Sequence, residues 1–459
     1  MTAAVPIDLD DVAAALAAAL RRGGAWSEVF AEHRTSATSR LQDGRLELRG
    51  DRDVGAAVRV GGAGPRGSAS TTVLDRDSLL AAAGAAAAVR DGRRPGAVLR
   101  PGAGSPPVPA EGGVDVALHP EWLGRCADAA RSAGPGIRSV IVTIVQVAQS
   151  VLVATSEGRL TGDTRVRTRI TCRVTARRSG RTSTGFEGPG WGDLTLPGHA
   201  TPEAVGAAAG HRALRVPDAA PPPAGVLPVV LGPGGGGLLV HEACGHGLEA
   251  DGVARGASVY SRTEGRRLAS PRVTVVDDPT LLQGFGSYRV DDEGTPAQPT
   301  VLIDDGVQVA ALTDRSAAEQ LSRAGTPNGR RESAATPPLC RMSNTALRAG
   351  TDDPAAVLAD LRRGVYLTRL SGGEVDVASG EFAFTASEAF LVEHGELTRP
   401  LTGVTLLGTG PAALAGITAV GDDLAWTAAL CGNDGQWVPV SYGSPTLRIE
   451  GLTITGSRS

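Results

Sequence analysis

Four prolines fall within the ten residues VPDAAPPPAG at 216–225. Neither a helix interior nor a central strand tolerates that density, because each proline removes a backbone N–H and fixes φ. The chain is therefore expected to divide here, into residues 1–220 and residues 221–459. A chain of 459 residues also favours two cores over one on surface-to-volume grounds. A second stretch rich in Pro and Gly, 93–113, reads as a linker inside the first part.

The pattern on either side of the break is mixed. Residues 8–22 predict a helix led by acids and closed by Arg21, Arg22 and two glycines. Further helices are expected over about 75–90 and 120–133. Asp43-Gly44 between alternating segments signals a hairpin, as does Asp305-Gly306. After the break, VLPVVL reads as a strand, then a glycine run, then a helix, and the remainder is mostly strand and turn. The fold class is α+β: an N-terminal α/β domain followed by a β-rich C-terminal domain that carries the helix with the chemistry described below.

Composition removes several functions. Net charge is -4, which gives no footprint for a nucleic-acid partner. All 45 basic residues are arginine, so a lysine Schiff base and a Walker phosphate loop are both excluded. The five cysteines (Cys126, Cys172, Cys244, Cys340, Cys431) form no CxxC pair, which points to a reducing compartment. No basic start followed by an apolar core suggests a signal peptide, and no run of about 20 apolar residues suggests a membrane span. A cytoplasmic protein without membrane association is expected.

One strand shows its faces. Ile170, Cys172, Val174 and Ala176 alternate with polar residues, and Arg165, Arg167 and Arg169 extend the polar face. That face is read as solvated sheet rather than as a basic ribbon. The chemistry concentrates in LLVHEACGHGLEAD, where His241, Glu242 and His246 fall together. Two imidazoles can hold zinc, and the glutamate can take a proton from water activated by the metal. The histidines are five apart, however, and on a regular helix they would sit about 140° apart. A π-bulge or break between Cys244 and His246, helped by Gly245, is needed to aim both at one ion. Glu249 and Asp251 are candidates to orient an imidazole. His33, His119, His199, His211 and His394 are isolated and read as surface or turn residues. The run LGPGGGGLLV contains G-x-G-x-x-G at Gly232, Gly234 and Gly237, which keeps nucleotide binding as an alternative. Against it, no second strand ending in an acid follows at the right distance. Cys244, three residues after His241, and the distant Cys431 both remain possible third ligands on spacing alone.

The motif LLVHEACGHGLEADG resembles the HExxxH signature of the TldD/PmbA family of metallopeptidases. Three other segments are similar to that family: RMSNT at Arg341–Thr345, the segment GEVDVASGEFAFTASEAFLVEHGELTRPLTGVTLLG, and CGNDGQWVPVSYGSPTLRIEGLTITG. The resemblance implies one zinc ion held by His241, His246 and Cys431, with Glu242 as general base. It also implies hydrolysis of unstructured peptides or peptide-like biosynthetic intermediates in an enclosed cleft of a dimer, with itself or with a motif-free TldE/PmbA-like relative. A narrow amide hydrolase acting on a small natural-product precursor would use the same residues. A peptide substrate could pair with an exposed strand edge near 366–394.

Overall fold

The computed structural model describes residues 5–62, 64–90, 116–178, 180–198, 200–215 and 219–456. The expected linker 93–113 and His199 lie outside the described residues, as do residues 216–218 of the proline-rich run. The elements of the first part are α1 (Leu9–Ala19), β1 (Trp26–Gln42), β2 (Arg45–Gly61), β3 (Gly67–Thr71), α2 (Arg76–Ala87), α3 (Pro120–Ser132), β4 (Ile137–Thr155), β5 (Leu160–Arg178), β6 (Arg181–Glu187) and α4 (Pro202–Arg215). The strands form one antiparallel sheet in the order β3-β2-β1-β4-β5-β6, with the short strand Gly190–Trp191 also on β5.

Local chemistry explains the boundaries. Asp8 accepts hydrogen bonds from the backbone N–H groups of Asp10 and Asp11, and Asp75 from that of Ser78, so each starts a helix. α1 closes at Ala19, before the arginine pair read as its end, because Leu20 and the turn after it lead straight into β1. Asp43 and Gly44 take φ of 48° and 93°, and Gln42 pairs with Arg45, as a two-residue hairpin turn demands.

The sheet buries both faces, differently. Val12, Leu16 and Leu79 of α1 and α2 pack on Val29, Val58 and Val60. Leu123 and Ala130 of α3, with Val205 and Ala209 of α4, pack on Val140, Val142, Ile170, Cys172 and Val174. The opposite face meets the second part of the chain: Phe30, Val151 and Val153 contact Ala334. The arginines of β5 lie on this face, and the reading of a solvated surface is corrected here. Arg165 and Arg167 are only 6% and 5% exposed. Arg165 binds Asp292 at 2.7 Å and the Val290 carbonyl, and Arg167 binds the Phe285 and Ser287 carbonyls. Alternation identified the shared face; it did not say that protein would cover it.

The second part is β-rich, so the fold is α+β as expected. Strands Arg363–Val375, Gly225–Leu231, Leu447–Gly456, Val404–Thr409 and Glu381–Glu393 pair in that order, and the last pairs back with the first, closing a ring. Phe382, Phe384, Leu406 and Ile449 from these strands join the main apolar core. A second sheet runs Val307–Gln308, Thr300–Asp304, Val275–Asp277, Asn344–Leu347, Gln436–Ser444, Ala425–Asn433, ending on the strand that bears Cys431. No helix among the described residues is long and apolar enough to cross a membrane.

Candidate metal centre

The strand Gly225–Leu231 runs into the glycine tract, a four-residue helix Gly237–Val240, a π turn His241–Gly245 and a 3-10 turn His246–Leu248. The His246 N–H donates to the His241 carbonyl, an i to i+5 bond. This wider turn brings the fifth residue back over the first, which a regular helix would not do. The distortion anticipated between Cys244 and His246 is present, but it begins at His241. Two contacts favour it. Tyr260 Oη donates to the Ala243 carbonyl at 2.7 Å inside the turn. Gly245 packs against Met342, where any Cβ would collide with the sulfur.

The glycine tract is filled by its own surroundings. A Cβ on Gly237 would lie 2.9 Å from the Tyr442 ring, and one on Gly235 would lie 2.9 Å from the Thr368 carbonyl. The Gly234 N–H donates to the Ser444 carbonyl. The glycines therefore permit close backbone packing, and the four-residue helix that follows is too short for the dinucleotide arrangement. The nucleotide alternative finds no support in this geometry.

His241, His246 and Cys431 converge. Cys431 Sγ lies 3.2 Å from His241 Nε2 and 3.3 Å from His246 Nε2, and the three donor atoms lie within 4.8 Å of one another. Burial would raise the Cys431 thiol, but the charge and hydrogen bonds of the two imidazoles pull it down to about 3. Two nitrogens and a thiolate suit zinc. Around a tetrahedral zinc such N and S donors stand about 3.5 Å apart, close to the separations here. Glu249 accepts from His246 Nδ1 at 3.0 Å and from Asn433 Nδ2 at 3.3 Å. Asp251 pairs instead with Arg255 and touches neither imidazole. Cys244 is fully buried in the apolar core, its thiol pushed up to about 12 by burial, and it is not one of the three converging donors.

Glu242 is 22% exposed, with Oε2 3.8 Å from His246 Nε2. It lines a cleft of about 770 Å³ together with His241, His246, Cys431, Tyr442 and Trp437. Several supporting residues were not singled out from the sequence. Buried Arg341 donates to the Cys431 carbonyl at 2.6 Å and to the Gln436 carbonyl at 3.3 Å, pinning the strand that carries the thiol. The Tyr442 ring lies 5.7 Å from that of His241. Arg341 had a signal as the first residue of the RMSNT motif, and Tyr442 lies inside the segment CGNDGQWVPVSYGSPTLRIEGLTITG. Among the isolated histidines, His33 is buried in β1 rather than exposed, on the face of the strand it shares with Val29 and Ala31. His119 stacks on Trp122, His211 is exposed on α4, and His394 occupies a turn at φ 53°.

Comparison with known proteins matches most of the chain to one family. Residues 27–90 match PmbA/TldA metallopeptidase domain 1, residues 109–216 its central domain and residues 224–456 its C-terminal domain. The chain belongs to the PmbA/TldA metallopeptidase family. It is 36% identical over 336 residues to the "Metalloprotease TldD homolog" of Haemophilus influenzae, covering 72% of this chain and 70% of that one. A "Metalloprotease" of Methanothermobacter thermautotrophicus is 35% identical over 70% of this chain and 71% of its own. A Buchnera aphidicola TldD homolog is 40% identical over 51% of this chain, an alignment spanning about half (49%) of that relative. In fold, the chain is similar to TldE of Thermococcus kodakarensis, with TM-score 0.77 and 18% identity over 94% of this chain and 97% of that one.

Proposed function

We propose that this chain is a zinc metallopeptidase that hydrolyses amide bonds of unstructured peptides or peptide-like biosynthetic intermediates. The observation that carries the reading is the convergence of His241 Nε2, His246 Nε2 and Cys431 Sγ beside the Glu242 carboxylate at a cleft. Family membership and the relatives' name, metalloprotease, support it. The three side chains would hold zinc, with Glu249 and Arg341 keeping His246 and Cys431 in place. When bound, zinc supplies Lewis acidity toward water and the scissile carbonyl. Glu242 accepts the proton released as water attacks and returns it to the departing amine. Among the described residues, Arg369–Val375 pair only with Glu381–Glu393, and Arg369–Gly373 line the cleft, so this stretch offers a backbone edge to an extended peptide.

The same reading has the cleft closed by a second subunit, either another copy or a motif-free TldE-like relative. Trp437 at the cleft is 56% exposed, with Leu430 and Trp426 also exposed nearby, an apolar surface suited to cover. Five free thiols fit a reducing, cytoplasmic setting. The decisive variant is Glu242→Gln. It should keep zinc and fold while peptide cleavage falls by at least about a hundredfold, since general-base catalysis is typically worth that much or more. Normal cleavage by this variant would refute the base assignment. A wild-type chain that binds no zinc and cleaves no peptide would refute the reading as a whole.

A further inference from the structure

Strand β5 does two jobs along one face. Arg165 and Arg167 are engaged by the second part of the chain, as described above. Arg169 and Arg173 lie farther along the same face and line the cleft with His241 and Glu242. The other two cleft arginines already have counter-charges: Arg369 pairs with Glu187 at 3.0 Å, and Arg212 pairs with Glu187 and, at 3.6 Å, with Glu388. Arg169 and Arg173 have no carboxylate within salt-bridge distance among the described residues.

Arg169 is the more constrained of the two. Its Nε is buried and makes no hydrogen bond within the protein. Burial holds its guanidinium below the ordinary arginine value, with only the Tyr442 hydroxyl opposing that. Tyr442 in turn lies against His241, so Arg169 stands one side chain away from the trio. Arg173 is exposed, with its guanidinium 5.5 Å above the Phe186 ring. A half-buried cation without a partner is unfavourable until something anionic arrives. The planar fork of arginine fits a carboxylate bidentately. Apart from Glu242, the cleft lining contains no acid to compete for it.

We propose that Arg169 and Arg173 form a receptor for a substrate carboxylate, so that the peptides taken into this cleft are anchored by their C-terminal group or by an Asp or Glu side chain. The proposal rests on the metallopeptidase reading only in taking the ligand to be a peptide.

Calorimetric titration of the full-length, zinc-loaded Glu242→Gln protein tests it without turnover. Three forms of one acetylated hexapeptide serve as probes: uncharged with an amidated C-terminus, the same with a free C-terminal carboxylate, and the amidated form with one Gln replaced by Glu. At least one carboxylate form should bind about tenfold tighter than the uncharged form, and which one does identifies the source of the carboxylate. Adding Arg169→Gln should reduce that ratio to below twofold, and adding Arg173→Gln should reduce it in part. Should circular dichroism show Arg169→Gln unfolded, the exposed Arg173 position carries the test alone. Equal binding of all three probes, or a ratio that survives the substitutions, overturns the receptor and leaves the peptidase reading standing. No binding of any probe overturns both.

Discussion

Two cysteines illustrate what a residue's surroundings decide. Cys244 lies nearer His241 in sequence, yet its thiol is enclosed by apolar side chains and stays protonated, whereas Cys431 meets both imidazoles. Cys431→Ala should therefore lose most of the bound zinc, and Cys244→Ala should keep it at a small packing cost, as zinc per chain by mass spectrometry would check. The opposite pattern would refute the ligand assignment. The sequence held His241, Glu242 and His246 within six residues, so these were legible directly. Cys431 entered only through its resemblance to family segments, because 185 residues separate it from His246 and spacing carries no information at that range. Tyr260 left no trace, since a phenol supporting a distant turn looks like any other core aromatic, and Tyr442 was legible only as one residue of a long family-like segment.

At the scale of elements, the π turn is the least tolerant piece. Gly245→Ala would drive a methyl into Met342, and relief requires moving either the turn or the Arg341–Thr345 segment. The expected cost is about 1–3 kcal/mol, as for other overpacked positions. His246 should shift with the turn, so zinc affinity should drop along with the melting temperature. A variant with unaltered zinc binding would show that the turn has slack. The helix Arg315–Leu321 offers a pH test. Its N-cap Asp314 accepts from the Ala317 N–H. Burial first, and then the charge of Glu293, push its carboxyl up to about 7, with Asp251 adding to this and Arg59 opposing. In the unfolded chain the group ionises near 3.8. Between those values the folded protein holds a proton that the unfolded chain has released, so stability falls as pH rises through the window and levels off above about 7. Asp314→Asn keeps a good cap and should flatten that decline, measured as the difference in melting temperature between pH 5 and pH 8. An unchanged difference would assign the decline to other groups. The hairpins at Asp43-Gly44 and Asp305-Gly306 and the helix starts were legible because their signals are local. The π turn was legible as a geometric necessity, though its start was misplaced, because hydrogen bonds with Tyr260 and packing on Met342 set where the extra residue is absorbed.

Over the whole molecule, the two parts are joined by buried charge. Arg59 meets Glu293 at 2.7 Å, Arg331 meets Glu28 at 3.1 Å, and Arg165 meets Asp292 at 2.7 Å, all nearly inaccessible to water. Such pairs contribute little net stability when intact, but breaking one leaves an uncompensated buried ion. Arg165→Met should destabilise the protein by about 3–5 kcal/mol in denaturant unfolding, while the exposed Arg173→Gln should cost less than about 0.5 kcal/mol. Similar small effects for both would mean that water reaches Asp292. The α+β class and the β-rich second part could be read from strand and turn patterns. The closing of five strands into a ring could not, because pairing between distant strands depends on partners that a single sequence does not pair up.

That junction also bears on how such a cleft can change its tastes. Side chains two residues apart on β5 share a face, so the cations that hold the halves together continue without interruption into those that line the mouth. Heritable variation along this strand is therefore pleiotropic: an altered register or a lost guanidinium touches cohesion and selectivity at once. New preferences should arise with less penalty at other lining positions, Ser371–Gly373 and Thr427–Leu430, which form no buried ion pair across the junction among the described residues.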